Sequence, residues 1–211
     1  MRLILDVGST HGGKEMACYK AIDRAVEIGL KDLKFQLLEK QHCKCGNIPI
    51  DRRWLPGLIA KGRKNGINVF ASVWSLNGMK DLLDSGATTI KFAYSAHGMT
   101  PLIETAMTKF AEVIVSTDVM SFIPGPTNLF CVPEYPVYQL LSFEGLFPRF
   151  RGFSDHTMGI KQTETAIHQG AKIIEKHVIA DPTVQCPDAK FAIDWREVQS
   201  LINYWGFEET A

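Results

Sequence analysis

The 211-residue chain lacks the features that mark several specialised classes of protein. No apolar run approaches the roughly 20 residues that a membrane-spanning helix needs, and Asp6 interrupts the first apolar stretch too early for a secretory leader. The 23 Lys and Arg residues balance 23 Asp and Glu residues. No basic stripe is interleaved with aromatic residues, so nothing predicts nucleic-acid binding. We expect a cytoplasmic protein that binds neither membranes nor nucleic acids.

A disulfide framework is also not expected. The cysteines are odd in number and irregularly spaced, which favours free thiols; they are Cys18, Cys43, Cys45, Cys131 and Cys186. Cys43 and Cys45 could form half of a soft-metal site, but no second pair stands at zinc-finger spacing. The simpler interpretation is two thiols in a loop.

Short apolar runs, rich in β-branched or aromatic residues, alternate with amphipathic stretches along the chain. The runs predict buried parallel strands at residues 2–7, 32–37, 67–72, 88–93, 112–116, 128–132, 150–153 and 172–175. The stretches predict helices at 14–28, 53–65, 76–85, 100–110, 160–169 and 194–205. This α/β pattern favours a compact (β/α)8 TIM barrel forming one domain over residues 1–211. Pro124 and Pro126 predict a degraded fifth helix within residues 117–127.

Functional groups of such a barrel lie at the C-terminal ends of its strands. Two lysines, Lys34 and Lys91, fall inside predicted strands there, with several hydroxyl side chains nearby. This mixture suits a phosphorylated, carboxylated small molecule, because ammonium groups attract such anions and hydroxyls complete their hydrogen bonds. The alternative for either lysine alone is a rim side chain that faces water.

Two segments end in histidine at neighbouring strand ends, residues 151–157 and 173–177. Imidazoles that converge beside acidic residues predict a divalent-metal site at His156 and His177. Strand alternation aims Glu175 to the same side as His177. It turns Asp155 away from His156, where it is expected to cap a helix. The alternative for each histidine is a structural role.

Several segments together resemble the sialic acid synthase (N-acetylneuraminate synthase) family, whose members condense phosphoenolpyruvate with an N-acetylated sugar. They occur in family order at residues 5–13, 33–36, 90–95, 115–117, 134–136, 152–159, 173–177 and 187–188. The resemblance implies a divalent metal on His156 and His177, usually Mn²⁺ with Mg²⁺ or Co²⁺ as alternatives. It implies phosphoenolpyruvate contacts from Lys34, Lys91, Ser116 and Ser154.

The complete set of candidate site residues has three parts. The catalytic candidates are Asp6, His11 and Glu175. The substrate-binding candidates are Lys34, Gln36, Ser72, Lys91, Ser95, Ser116, Tyr135, Ser154 and Asp188, and the metal candidates are His156 and His177. His11 sits on a glycine-rich turn, so a plain loop role is its alternative.

The chain departs from the family pattern mainly on the side expected to hold the sugar. Asp6, Thr10, Tyr94, Asp118, Phe130, Pro133 and Ala189 stand where the family has other residues. The family's small C-terminal antifreeze-like domain has no counterpart in these 211 residues, so the oligomeric state is open, with a homodimer as one option. The favoured hypothesis is a metal-dependent synthase that joins phosphoenolpyruvate to an aldehyde sugar such as N-acetylmannosamine, forming a sialic-acid-like nonulosonate. The alternatives are a non-catalytic barrel that retains the binding pocket and a Schiff-base aldolase using Lys34 or Lys91.

Overall fold

The computed structural model describes residues 1–39, 46–147 and 149–206; Cys43 and Cys45 lie outside them. Eight parallel strands close into a barrel in sequence order, with β8 pairing back onto β1. The strands are β1 (Arg2–Asp6), β2 (Asp32–Leu37), β3 (Asn68–Val73), β4 (Thr89–Phe92), β5 (Glu112–Thr117), β6 (Thr127–Cys131), β7 (Gly152–Asp155) and β8 (Ile173–His177). The predicted (β/α)8 barrel is confirmed.

Helices cover the outside of most of the barrel. They are α1 (Glu15–Glu27), α2 (Leu55–Lys64), α3 (Leu76–Asp84), α4 (Thr100–Lys109), α5 (Lys161–His168) and α6 (Trp195–Trp205). As predicted, β5 runs to β6 without a helix. Over the described residues, no helix is long and apolar enough to cross a membrane.

The crossover from β6 to β7 differs from the prediction of a single degraded helix. Its described residues also form no α-helix. Phenylalanine rings cover this part of the wall instead: Phe130 on β6 lies 5.6 Å from Phe150 and 6.1 Å from Phe153, measured between ring centroids, and Phe143 lies 4.8 Å from Phe153. Because these rings bury the outer face of β6 and β7, the segment needs no helix to shield the strands from water.

The barrel interior is layered. At the N-terminal end, Arg2 forms ion pairs with Asp32 at 2.6 Å and with Glu112 at 2.5 Å. Above it lies an apolar layer formed by Ile4, Phe70, Ile114, Leu129 and Ile173. Polar side chains fill the C-terminal layer. The apolar layer therefore closes the barrel beneath the polar end and separates that end from the opposite face.

Gly152 shows how tightly β7 and β8 approach each other. A Cβ atom added at this position would lie 1.8 Å from the backbone oxygen of Ile173. Only glycine lets the two strands pair at this distance, and this pairing brings the ends of β7 and β8 side by side.

Candidate active site

The first part of the polar layer is centred on the Asp6 carboxylate. Lys34 Nζ donates to Asp6 Oδ2 at 2.6 Å and to Ser72 Oγ at 2.8 Å, and Gln36 Nε2 donates to the same Oδ2 at 2.8 Å. Asp6 and Lys34 are 1% and 2% exposed. Burial opposes ionisation of Asp6, yet Lys34 and His177 hold the pKa of that carboxyl below its usual range. Both members of this buried pair are therefore charged near neutral pH.

The second part is centred on the Glu175 carboxylate. Lys91 Nζ donates to Glu175 Oε1 at 3.1 Å and to Ser116 Oγ at 2.7 Å. Ser154 Oγ donates to the same Oε1 at 2.9 Å. Burial raises the pKa of Glu175, but attraction from Lys34 and Lys91 leaves it lower than usual. Oε2 of Glu175 is buried and has no hydrogen-bond partner, which marks a place where a donor from a ligand fits.

The two histidines at the strand ends lie next to each other. Their ring centroids are 5.7 Å apart. Nε2 of His177 lies 3.3 Å from Asp6 Oδ2, while its Nδ1 is buried without a hydrogen-bond partner and stands 3.9 Å from Asp188 Oδ2. Asp188 Oδ2 accepts a hydrogen bond from the backbone N of Ser9 at 2.7 Å, which fixes that carboxylate beside His177.

Aromatic rings enclose His156. The Tyr135 ring lies 4.3 Å away at a tilt of 47°, and Phe191 meets His156 edge-on at 5.6 Å, both distances measured between ring centroids. Burial lowers the pKa of His156 well below its ordinary value, and His177 and Lys91 lower it further. A neutral imidazole follows, which is the form that binds metals.

These histidines fit a divalent ion in part. The neutral ring of His156 and the unpartnered Nδ1 of His177 are suitable as metal ligands. Over the described residues, however, no group of three His, Cys, Asp or Glu side chains has the geometry of a metal site. A metal here would need further ligands from substrate or water.

Comparison with known proteins shows which chains this one resembles. Residues 129–207 match the model of the NeuB family. The chain is related to the NeuB family. It is 23% identical to the N,N'-diacetyllegionaminic acid synthase of Campylobacter jejuni, over 94% of this chain and 73% of that protein. It is 32% identical to the enzyme of the same name from Legionella pneumophila, over 48% of this chain and 32% of that protein.

The fold has a close counterpart among solved structures. The N-acetylneuraminic acid synthetase of Leptospira borgpetersenii superposes with a TM-score of 0.82 at 23% identity, over 95% of this chain and 81% of that one. The likeness at this identity concerns the fold. The NeuB match and the similarity to the two legionaminic acid synthases confirm the resemblance to the sialic acid synthase family.

Most candidate residues from the NeuB resemblance converge on the polar layer, whereas Ser95 does not, and His11 lies at its edge within electrostatic reach of Asp6 and Asp188. The backbone N of Gly13 donates to His11 Nδ1 at 3.0 Å, and the His11 ring also bonds to the backbone of Ile48. His11 thus joins two loops; burial lowers its pKa, and the nearby carboxylates of Asp188 and Asp6 act against that shift. Ser95 is exposed and accepts a hydrogen bond from Trp74 Nε1 at 2.8 Å, so it stands apart from Lys91 and Ser116.

The prediction that Asp155 caps a helix is wrong. The residue before α5 is Ile160, and no side chain caps it. Asp155 instead accepts hydrogen bonds from the Thr157 backbone N and hydroxyl, both at 2.7 Å, and lies 3.0 Å from Lys176 Nζ. The alternation rule turned its side chain outward correctly; the partner on β8 could have been found from the same rule applied to Lys176.

Two departures from the NeuB pattern contact each other. Tyr94 OH donates to Asp118 Oδ2 at 2.7 Å, joining the loop after β4 to the loop after β5. A third departure, Phe130, lies in the outer aromatic cluster and does not reach the polar layer. Phe191 could not be predicted as a site residue from the sequence, because it follows β8 in a segment without periodicity.

Proposed function

We propose that this protein condenses phosphoenolpyruvate with an aldehyde sugar, such as N-acetylmannosamine or a related sugar, to form a nonulosonate and release phosphate. One observation supports this most directly: two buried lysines, each bonded to a serine hydroxyl, lie at the end of the barrel that carries two adjacent imidazoles. The relationship to synthases of legionaminic and sialic acids supports the same class of reaction.

The lysine–serine pairs are suited to hold the phosphate and carboxylate of phosphoenolpyruvate. Lys34 with Ser72, and Lys91 with Ser116, each offer an ammonium and a hydroxyl within 2.8 Å of one another. Charge-assisted hydrogen bonds of this kind are roughly twice as strong as neutral ones. Because both ammoniums also bond to carboxylates, the ligand must share them with Asp6 and Glu175.

The imidazoles of His156 and His177 would hold a divalent metal, in our proposal Mn²⁺, with Mg²⁺ or Co²⁺ as alternatives. A metal bound there would supply Lewis-acid polarisation of the sugar aldehyde. Nδ1 of His177 is buried and has no hydrogen-bond partner, so it would be free to bind the metal. Tyr135 and Phe191 pack against the imidazoles and limit the water that reaches them.

The proposed reaction forms a bond between C3 of phosphoenolpyruvate and the aldehyde carbon. The aldehyde oxygen takes up a proton and becomes a hydroxyl. Water then adds to C2, the bond from C2 to the phosphate oxygen breaks, and phosphate leaves while the added oxygen becomes the C2 carbonyl. Glu175 is better placed than Asp6 to take the proton of that water. Its Oε2 has no hydrogen-bond partner, whereas Asp6 Oδ2 accepts from both Lys34 and Gln36.

Phosphate release tests the proposal. The protein is incubated with phosphoenolpyruvate, Mn²⁺ and a panel of aldehyde sugars, beside a variant carrying His156→Ala and His177→Ala. His168→Ala, an exposed histidine on α5, is the matched control. We expect sugar-dependent phosphate from the wild type and the control only.

The same samples distinguish the alternatives. No sugar-dependent phosphate above the double variant would overturn the proposed reaction. A rise in melting temperature with phosphoenolpyruvate but no turnover would instead favour the non-catalytic barrel, since a ligand that binds only the folded state stabilises it. Borohydride trapping of a carbonyl substrate on Lys34 or Lys91 would favour the aldolase.

A further inference from the structure

An ion pair lies on the outer face of the barrel directly behind the two histidines. Asp155 and Lys176 are both fully buried, with 0% of each side chain exposed, and Lys176 Nζ lies 3.0 Å from Asp155 Oδ2. The two residues are direct partners in the β7–β8 ladder. Each one immediately precedes a histidine, His156 or His177, that points the opposite way, into the barrel.

The pair also holds the backbone just beyond His156. Asp155 Oδ1 accepts from the backbone N and the hydroxyl of Thr157, and Lys176 Nζ donates to the backbone O of Thr157 at 2.5 Å. Asp155 Oδ2 further accepts from Thr163 Oγ1 on α5 at 2.6 Å. His156 is thus bounded on both sides by residues tied to β8.

This bracing matters because His156 lies beyond the end of the β7 ladder. β7 ends at Asp155, so no ladder hydrogen bond to β8 orients the His156 backbone. On its other side, the backbone O of His156 accepts from the backbone N of Val137 at 3.0 Å. The link from His156 to β8 therefore runs through the contacts of Asp155, Lys176 and Thr157.

A buried ion pair is weak evidence for stability alone, because the cost of desolvating two charges offsets most of their attraction. Well-packed apolar residues of similar volume often serve stability as well or better. What a fully hydrogen-bonded pair supplies is one fixed geometry. At this place in the fold, the geometry it fixes is the relative position of two imidazoles.

We propose that Asp155 and Lys176, together with Thr157, form a brace that holds His156 and His177 in one arrangement, and that they are positioning residues for the imidazole pair. The purpose assigned to the brace rests on the proposed function. Mutating the residues that orient a metal-binding side chain typically changes metal affinity or activity by about 10–100-fold. We therefore expect mutation of the brace to weaken the binding of a divalent ion.

The test compares two ion pairs at opposite ends of the same barrel. The Asp155→Asn/Lys176→Met variant removes both charges of the brace with little change in volume. Arg2→Met/Asp32→Asn removes an ion pair at the N-terminal end, beneath the apolar layer, and also leaves Glu112 without its arginine, so it serves as a control for general destabilisation. Histidine ¹Hε1–¹³Cε1 NMR spectra of the metal-free proteins report the order of each ring, and electron paramagnetic resonance of free Mn²⁺ reports affinity.

We expect one sharp resonance each for His156 and His177 in the wild type and the control. In the brace variant we expect broadened or doubled resonances and Mn²⁺ affinity lower by about 10–100-fold. Sharp, unshifted resonances in the folded brace variant, with affinity within twofold of wild type, would overturn the inference. So would equal broadening in the control, since the effect would then follow general stability.

Two further results have defined meanings. If the wild type binds no Mn²⁺, the metal part of the proposed function fails, and the NMR comparison alone decides whether the brace exists. If the brace variant does not fold, Thr157→Val replaces it, because this change removes only the hydroxyl that donates to Asp155. Broadened resonances for His156 in that variant would support the brace, and an unchanged spectrum would refute it.

Discussion

The Lys91–Glu175 pair allows a quantitative test of how the polar end of the barrel is held together. Lys91 and Glu175 are 1% and 4% exposed, so solvent screens their interaction little. Lys91→Met keeps the length of the side chain but leaves the Glu175 carboxylate with Ser154 as its nearest donor. Removing one member of a buried pair costs about 3–5 kcal/mol. We expect the free energy of unfolding at pH 7 to fall by that amount, out of about 5–15 kcal/mol for a typical domain.

A second variant separates the lost charge pair from lost packing. Lys91→Met/Glu175→Gln removes both charges, and replacing both partners of a buried pair is often close to neutral. We expect the double variant to recover at least half of the loss. Urea unfolding at pH 7, followed by circular dichroism, gives the two values, with Lys20→Met on the exposed face of α1 as a control expected within about 0.5 kcal/mol of wild type.

The difference in free energy of unfolding between wild type and Lys91→Met should depend on pH, because the pKa of Glu175 is shifted downward in the folded protein. Because the pKa of folded Glu175 is lower than its ordinary value of 4.5, the carboxylate stabilises the fold above that pH and loses this contribution as the pH falls. The gap between wild type and Lys91→Met should therefore narrow below pH 4.5. A double variant as unstable as the single one, or a gap that does not depend on pH, would refute the buried-pair interpretation.

Three further changes test other parts of the fold. The pKa of Asp6 is lowered in the folded protein, so the free energy of unfolding of the wild type falls as the pH drops. In Asp6→Asn this fall between pH 5 and pH 3 should be smaller, as measured by urea unfolding. Gly152→Ala should lower the free energy of unfolding by about 1–3 kcal/mol or more in a urea titration, while Gly98→Ala should be neutral, since no surrounding atom lies within 4 Å of the added Cβ. Burial raises the pKa of Cys18 and Cys131 to about 12, so iodoacetamide at pH 8 should label them only in denaturant, as read by peptide mass spectrometry.

The fold could be predicted to the extent that it depends on local pattern. Apolar runs and amphipathic stretches correctly predict the eight strands and six α-helices of the described residues, and Pro124 and Pro126 correctly exclude a helix in the fifth crossover. The sixth crossover could not be predicted in the same way. Its structure depends on contacts between Phe130, Phe143 and Phe153, and contacts between residues distant in sequence leave no periodic signal.

The site could be predicted where side chains belong to strands. Period-two alternation placed Glu175 on the same side as His177 and turned Asp155 away from His156, because direction in a strand is fixed by the backbone. His11 and Ser95 lie on turns, where direction depends on partners such as Ile48 and Trp74 that the sequence does not identify. The roles assigned to the site residues, the metal and the homodimer stay predictions.

The charge balance of the polar layer suggests that an anion beside the two lysines and a metal on the two histidines would bind together. Asp6 and Glu175 neutralise Lys34 and Lys91 within the polar layer, so the layer offers no net positive charge to an anion. A ligand carrying both phosphate and carboxylate would bring several negative charges into a buried, nearly neutral environment, which is unfavourable unless a cation accompanies it. A divalent ion on the adjacent imidazoles would supply that charge. The binding of anion and metal should therefore be mutually strengthening, because coupling between two ligands acts equally on both. The two histidines would therefore affect the binding of phosphoenolpyruvate as much as the binding of the sugar.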